Sequence, residues 1–235
     1  MPGIEGGNSV ADILTGKVNP SGKLTMTWPI AATDHPSTAN FAKEYDMYTY
    51  KNMESWGKGV IPGVDFSNHE EDIYVGYRYF DTFKKNVAYP FGYGLSYTTF
   101  EMGKPAVKVH GNNIEVSVTI KNTGKVAGKQ VAQVYVTAPK GAYEKPLKEL
   151  KTFGKTRELK PGESQTLKMT LEKRDLASFD EANSQWKVDA GNYLFQVGTD
   201  VESIKGTATL KVAEYTEKTS NACAPNVQLN YLKQK

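Results

Sequence analysis

The chain has 235 residues, of which 39% are hydrophobic and 23% charged, and its formal net charge is +3 at pH 7. Lys and Arg are scattered among Asp and Glu, so the sequence offers no basic stripe for nucleic acid or for a membrane surface. The single cysteine, Cys223, excludes a disulfide within one chain and a metal cluster built from thiolates. No apolar run approaches the roughly 20 residues that span a bilayer.

The first 30 residues predict the end of an α/β domain. A glycine-rich loop at residues 3–7 precedes a short amphipathic helix that ends at Gly16. A turn at residues 19–22 then leads into a strand over residues 23–28. Loop, helix, turn and strand form the closing unit of an α/β domain, and the earlier strands of such a sheet are not in the sequence. We therefore expect the chain to be the C-terminal piece of a longer enzyme.

The glycine-rich loop has two interpretations. A loop of this kind at a helix start can cradle an anion, but no Lys-Ser/Thr pair follows it, which favours a packing role for the glycines. Glu5 in the same loop could be a catalytic carboxylate. A loop carboxylate more often caps or orients backbone, and this is the favoured interpretation.

Residues 31–100 predict a long connector. Its first part, up to about residue 72, is polar, aromatic and irregular, and a loop of this length is functional, packed on a neighbour, or disordered. Its many aromatic residues argue against disorder. Aromatic side chains can stack on the apolar face of a sugar ring, so Trp56, Tyr48 and Tyr50 are the candidate substrate-binding residues. The alternative is that they anchor the loop on the body of the enzyme.

The end of the connector contains two motifs. The alternating side chains of residues 73–77 predict a strand. FGYGLSY, residues 91–97, is similar to a dinucleotide-binding motif, but Tyr97 stands where a third Gly or Ala belongs, and a strand rather than a helix follows. We therefore expect its two glycines to allow a tight backbone path at a domain junction.

Residues 101–213 predict an antiparallel β-sandwich. About seven short alternating strands separated by turn signals, with no cysteine pair, favour a fibronectin-III-like sandwich over an antibody-type one. Val116, Val118 and Ile120 should face the core, and Trp186 should anchor it. The polar tail, residues 214–235, is expected to lie along another domain. The predicted strands cover residues 106–109, 114–120, 131–137, 150–159, 164–171, 177–179, 193–197 and 203–212.

Several segments together resemble the C-terminal part of family 3 glycoside hydrolases, the β-glucosidase and β-xylosidase group. The match in order and spacing rests on PGIEGGNSVADILTGKVNPSGKLTMTWP, IYVGYRYFDT and YPFGYGLSYTTF, while KPLKELKTFGK and ELKPGESQTL resemble the third domain of that family. Larger members have a TIM-like barrel, an α/β sandwich domain and a fibronectin-III-like domain. The resemblance implies that residues 1–30 are the end of the second domain and that residues 31–100 are a connector. Residues 101–213 would then form the third domain, and residues 214–235 would be a C-terminal tail.

The same resemblance implies a retaining glycosidase whose two carboxylates lie upstream of Met1, the Asp nucleophile in the barrel and the Glu acid/base in the second domain. We therefore assign no catalytic residue and no metal ligand within this chain, and expect it to be inactive alone. Its implied partners are the barrel and α/β domains of the same enzyme and a carbohydrate substrate, a β-glucoside or β-xyloside. No cofactor is expected, and the implied location is periplasmic or extracellular.

Two alternatives stay open at this point. The chain could be a free-standing carbohydrate-binding or structural β-sandwich module, which would bind a glucan or xylan through Trp56 or the loop tyrosines. It could also be a partner that completes a separately encoded N-terminal piece.

Overall fold

A computed structural model describes residues 3–39, 69–225 and 228–234. None of the helices in these ranges is long and apolar enough to cross a membrane. The α-helices described are α1 (Gly6–Leu14) and α2 (Tyr77–Thr82), and most of the remaining regular structure is β-sheet. The prediction of a mainly β sandwich preceded by a short helical segment is confirmed. The domain division at residues 30, 100 and 213 stays a prediction.

Two antiparallel sheets form the sandwich. One has the order β12-β11-β6-β7, and in the other β5 pairs with β8 on one side and with β3 and β4 on the opposite side. Small sheets lie outside them, β1 with β2 and β13-β10-β9. The strand bounds are β1 Trp28–Pro29, β2 Val87–Tyr89, β3 Phe100–Met102, β4 Ala106–His110, β5 Asn113–Asn122, β6 Val131–Thr137, β7 Glu149–Lys155, β8 Ser164–Glu172, β9 Ser178–Asp180, β10 Gln185–Val188, β11 Gly191–Gly198, β12 Ile204–Val212 and β13 Tyr215–Lys218.

The hydrophobic core lies between these two sheets, as the alternating side chains of β5 show. Its side chains alternate between the core and the outer face, as the sequence predicts, and Val116, Val118 and Ile120 are at most 2% exposed. On the other sheet, Val134 and Val136 of β6 face the same core. The apolar faces of the two sheets therefore bury one another.

Strand β6 is unusual because all of its central residues are buried. Gln133 and Tyr135 point away from the core, yet they are only 3% and 0% exposed. The ring of Tyr77 lies 6.0 Å from that of Tyr135. Helix α2 and the segment around Phe91 therefore cover the outer face of this sheet, so the connector end and the sandwich form one packed unit.

The strand predicted over residues 73–77 is wrong. Residues 77–82 form α2 instead, and Gly76, with a φ of 58°, turns the chain into it. Phe80 is 3% exposed and Tyr74 fully buried. The helix is stabilised by burial of one face of this aromatic segment. The sequence pattern could not distinguish a helix from a strand here, because so short an aromatic run shows no clear helical or strand period.

The strand predicted over residues 23–28 is too long. Only Trp28 and Pro29 pair with a neighbour, β2. Leu24 instead makes two hydrogen bonds with the glycine motif, donating to Tyr93 O at 2.8 Å and accepting from Gly92 N at 2.9 Å. The segment is extended, but it is held by a loop and not by a sheet.

The prediction that Trp186 anchors the core is also wrong. Trp186 lies in β10, outside the core, with the Arg174 guanidinium carbon 5.3 Å from its ring centroid and Phe179 at 5.3 Å on the neighbouring strand. Tyr193 and Phe195, each at most 1% exposed, fill the centre of the sandwich instead. An indole with a cationic partner is stable at a half-buried position.

The tail contributes structure that the sequence did not predict. Residues 215–218 form β13, which pairs with β10. Residues 228–234 then return to the beginning of α2, where Leu232 N donates to Glu70 O at 2.7 Å. The tail therefore lies along the sandwich and along the segment before α2.

Candidate functional site

Glycoside hydrolysis by a retaining enzyme needs two carboxyl groups about 5 Å apart across a sugar-sized cleft. One cavity is an open groove of about 440 Å³, and the residues that the structure places in its lining include no carboxylate. A second, very small cavity between the sheets has one carboxylate, Glu149, which is bound by Lys151 at 3.0 Å and Arg78 at 3.1 Å. Neither cavity carries the required pair.

The open groove has an aromatic wall. Trp28 and Tyr89 lie opposite each other in the β1–β2 pair with ring centroids 6.4 Å apart, and Tyr93 follows 5.2 Å from Tyr89. Leu95 is 69% exposed at its rim. Lys23 is the only charged side chain among the described residues of the lining. Burial lowers the pKa of Lys23, and the Asp200 carboxylate acts in the opposite direction.

Apolar side chains outside the groove are exposed as well. Many large apolar side chains among the described residues up to residue 100 are at least 45% exposed. Exposed apolar area of this extent is a feature of surfaces that contact another protein. They include Ile4, Val10, Leu14, Val18, Met26, Ile30 and Tyr97. We call this set, together with the groove, the apolar face.

A second candidate site is the contact between α2 and the beginning of β7. Four pairs of residues meet in antiparallel order, so the YRYFDT motif binds the LKEL part of KPLKELKTFGK along its length. The contacts join Tyr77 Oη to Leu150 N, Arg78 to Glu149, Asp81 to Lys148 and Thr82 Oγ1 to Leu147 N, at 2.8, 3.1, 3.1 and 2.9 Å. We call this contact the α2–β7 zipper.

The Asp81–Lys148 pair of the zipper is nearly buried. The side chains are 14% and 10% exposed. The second carboxylate oxygen of Asp81, Oδ2, is buried and has no hydrogen-bond partner among the described residues. The ammonium of Lys148 is therefore the main compensation for a carboxylate held out of water.

The glycine motif lies on the buried amide of Gln133. This side chain donates to Gly92 O at 3.2 Å and to Thr199 O at 2.7 Å, and accepts from the Tyr135 hydroxyl at 2.6 Å. Gly92 has a φ of +84°, and a β-carbon there would collide with the Gln133 amide. A β-carbon at Gly94 would collide with the Gly22 carbonyl. The predicted tight backbone path is confirmed.

Two asparagines complete the connection. Asn19 donates to Ala127 O at 2.9 Å and accepts from Ser96 Oγ and Tyr97 N at 3.0 and 2.8 Å. It therefore binds the turn after α1 to both the glycine motif and the sandwich. We call the zipper, the glycine motif and these amide side chains the joint.

Asn122, which is fully buried at the end of β5, has the corresponding role inside the sandwich. Its amide donates to Val126 O and Leu159 O, each at 2.8 Å, and accepts from Thr98 Oγ1 at 2.7 Å and Gly124 N at 3.0 Å. All of its hydrogen-bonding capacity is used, as a buried amide requires.

The predicted site residues have different outcomes. Trp56, Tyr48 and Tyr50 lie outside the described residues, so their role in substrate binding stays a prediction. Glu5 is exposed at the start of α1, where its carboxylate makes no capping hydrogen bond to the backbone and instead accepts from Asn8 Nδ2 at 2.7 Å. Sequence reasoning missed the Trp28–Tyr89–Tyr93 wall because these residues come together only through the β1–β2 pairing.

Comparison with known proteins identifies two domains. Residues 1–97 match the glycosyl hydrolase family 3 C-terminal domain, and residues 130–201 match the fibronectin type III-like domain. Together these matches cover most of the chain and agree with the resemblance found in the sequence.

Similar proteins are consistently β-glucosidases. The chain is 42% identical to a β-glucosidase of Kluyveromyces marxianus over 89% of its length, and 40% identical to β-glucosidase A of Butyrivibrio fibrisolvens over 95%. The solved structure of β-glucosidase 3B from Thermotoga neapolitana in complex with α-D-glucose is similar with a TM-score of 0.80 and 45% identity over 92% of this chain. The chain spans 23%, 28% and 28% of these relatives, about a quarter of their length.

Proposed function

Because the chain belongs to glycosyl hydrolase family 3 and corresponds to the C-terminal part of its members, we propose that it braces a larger retaining enzyme that acts on β-glucosides. In this role the fibronectin-III-like sandwich stabilises the catalytic domains through the joint. The catalytic Asp and Glu come from the barrel and α/β domains of the same enzyme. The chain alone is inactive.

One observation carries this proposal. The YRYFDT, FGYGLSY and KPLKEL motifs of the chain make hydrogen bonds and ion pairs to one another and to Gln133 and Asn19. Their side chains are used to hold the joint together, and neither described cavity has two carboxylates. A region built in this way supplies position and rigidity to the chemistry of another region.

The apolar face supports the same proposal. Trp28, Leu95 and Leu14 are 51%, 69% and 76% exposed, and burying such side chains stabilises a contact by about 25 cal/mol per Å² of apolar surface. We propose that this face packs against the preceding part of the α/β domain. The names of the relatives favour a β-glucoside over a β-xyloside as substrate, and we propose, from the resemblance alone, that the enzyme is periplasmic or extracellular.

A chimera tests the proposal. The matched C-terminal region of Thermotoga neapolitana β-glucosidase 3B is replaced by this chain, and hydrolysis of an aryl β-glucoside is measured. We expect substantial activity from the chimera and much less from the same enzyme truncated before that region. A chimera that is folded by circular dichroism and monodisperse, yet no more active than the truncated enzyme, would contradict the proposal.

A second candidate function is carbohydrate binding by the free chain, because the exposed rings of Trp28 and Tyr89 could stack on a sugar. The part of the groove lining that the structure describes is mainly apolar and has one charged group, Lys23, whereas a sugar edge needs several polar partners. Saturable binding to a glucan that is lost in Trp28→Ala would favour this second function. A flat isotherm with the intact chain would remove it.

A further inference from the structure

The C-terminal tail makes contacts that the proposed function does not use. The Gln234 side-chain amide donates to two groups on different segments next to the joint, the Tyr74 hydroxyl at 3.0 Å and Lys145 O at 2.6 Å. Leu232 N donates to Glu70 O at 2.7 Å. Three hydrogen bonds thus connect residues 228–234 to the segment before α2 and to the segment before β7, although these segments lie about 90 to 160 positions away in sequence.

The groups that Gln234 binds are themselves firmly held. Tyr74 is fully buried, its ring lies 5.0 Å from that of Phe83, and its hydroxyl donates to Glu144 at 2.5 Å. Burial and the Glu144 carboxylate raise the pKa of Tyr74 to about 12. The phenol is therefore protonated at neutral pH, so that it donates to Glu144 while accepting from Gln234.

Lys145 continues the network on the sandwich side. Its ammonium lies 2.5 Å from Asp189 Oδ2 and 3.0 Å from Pro139 O, and the pair is mostly buried. Tyr74 precedes α2 by three residues and Lys145 precedes Leu147 by two. Gln234 thus joins the two chain segments immediately before the two partners of the zipper.

We propose that residues 228–234 form a strap that locks the α2–β7 zipper by holding Tyr74 and the Lys145 carbonyl together through Gln234. The strap is a positioning element, because its hydrogen bonds go to the segments that precede α2 and β7. It stabilises the joint locally and is not needed for the fold of the sandwich core, which lies between β5 and β6.

Hydrogen exchange of the full 235-residue chain tests the strap. The amides of Leu147 and Leu150 report on the zipper, since they donate to Thr82 Oγ1 and Tyr77 Oη. The amide of Val118 in β5 reports on the core. Gln234→Ala removes the double donor, and Gln228→Ala is the matched control, a truncation of an exposed glutamine in the same segment.

We expect Gln234→Ala to accelerate exchange at Leu147 and Leu150 roughly fivefold, which is the effect of losing a net hydrogen-bond contribution of about 1 kcal/mol. In Gln234→Ala, the exchange rate of the Val118 amide should stay within a factor of about two of the parent. In Gln228→Ala, the rates of the Leu147, Leu150 and Val118 amides should all stay within the same factor. Gln234→Glu, which cannot donate and faces Glu144, should behave like Gln234→Ala. Unchanged exchange at Leu147 and Leu150, or equal acceleration at Val118, would overturn the strap.

Discussion

Gln133 lies directly under Gly92, and its side-chain amide donates to the Gly92 carbonyl at 3.2 Å. The contact leaves no room for a β-carbon at Gly92. It links a motif of the connector to the most buried strand of the sandwich, β6. The glycine at position 92 of the FGYGLSY motif is thus explained by its close contact with the sandwich.

Gly92→Ala should destabilise the protein by about 2–4 kcal/mol, because alanine is strained at a φ of +84° and its methyl group collides with Gln133. Gly111→Ala is the matched control, with a φ of +62° and no neighbour within 4 Å, so it carries only the conformational penalty of about 1 kcal/mol. Urea denaturation measures both. Equal losses in the two variants would show that the contact with Gln133 is unimportant.

Lys148→Met should reduce the free energy of unfolding by about 3 kcal/mol, because it leaves the buried Asp81 carboxylate without its cationic partner. Adding Asp81→Asn should recover part of that loss, since the unpaired charge is gone. Lys168→Met serves as the control. Its ammonium lies 3.7 Å from Glu115 and is 68% exposed, so its loss should change stability by less than about 0.5 kcal/mol.

Asp180 should make the protein sensitive to strong acid. Hydrogen bonds from Asn183, Tyr143 and Gln185 lower its pKa to about 2. Because the folded pKa lies below the unfolded value of 3.8, the carboxylate stabilises the fold above pH 3.8, and this contribution is lost as the pH falls towards 2. Asp180→Asn should therefore lower the urea midpoint at pH 7 and have a smaller effect at pH 2. A difference that is independent of pH would contradict this role.

Asp72, in contrast to Asp180, should make the folded protein less stable as the pH rises. Asp72 is an exposed residue, but partial desolvation of its carboxyl and the neighbouring Glu181 and Glu144 raise its pKa above 3.8. The folded state therefore holds the proton more tightly, and stability decreases as the pH rises through this range. Asp72→Asn keeps a side chain that tolerates the φ of 51° and removes the charge. We expect a higher thermal midpoint than the parent at pH 7 and an equal midpoint at pH 3. A lower midpoint at pH 7 would contradict the repulsion.

The sandwich could be predicted well because its strands carry their own signal. The predicted bounds of β6, residues 131–137, agree with the structure, and those of β4, β5 and β8 differ by a few residues. Alternation such as that of Val116, Val118 and Ile120 is set by the two faces of a sheet and needs no knowledge of distant contacts. Strands β10 and β13 were missed, because each is four residues long and they pair with each other across 30 positions.

The joint could not be predicted in the same way. The sequence contains both zipper motifs, but nothing local shows that residue 81 meets residue 148. The short aromatic run before and within α2 fits a strand and a helix equally well until Tyr74 and Phe80 are seen to be buried. The roles of Asn19 and Gln133 depend on carbonyl groups of segments 41 to 108 positions away.

The account depends most on the claim that this chain positions a catalytic site and does not contain one. The direct test is the hydrolysis of 4-nitrophenyl β-glucoside by the purified 235-residue chain, with heat-denatured chain as the blank. We predict no turnover above the blank at any pH between 4 and 8. Turnover that disappears when a single Asp or Glu of this chain is replaced by its amide would contradict the account, because it would reveal a catalytic carboxylate within these 235 residues.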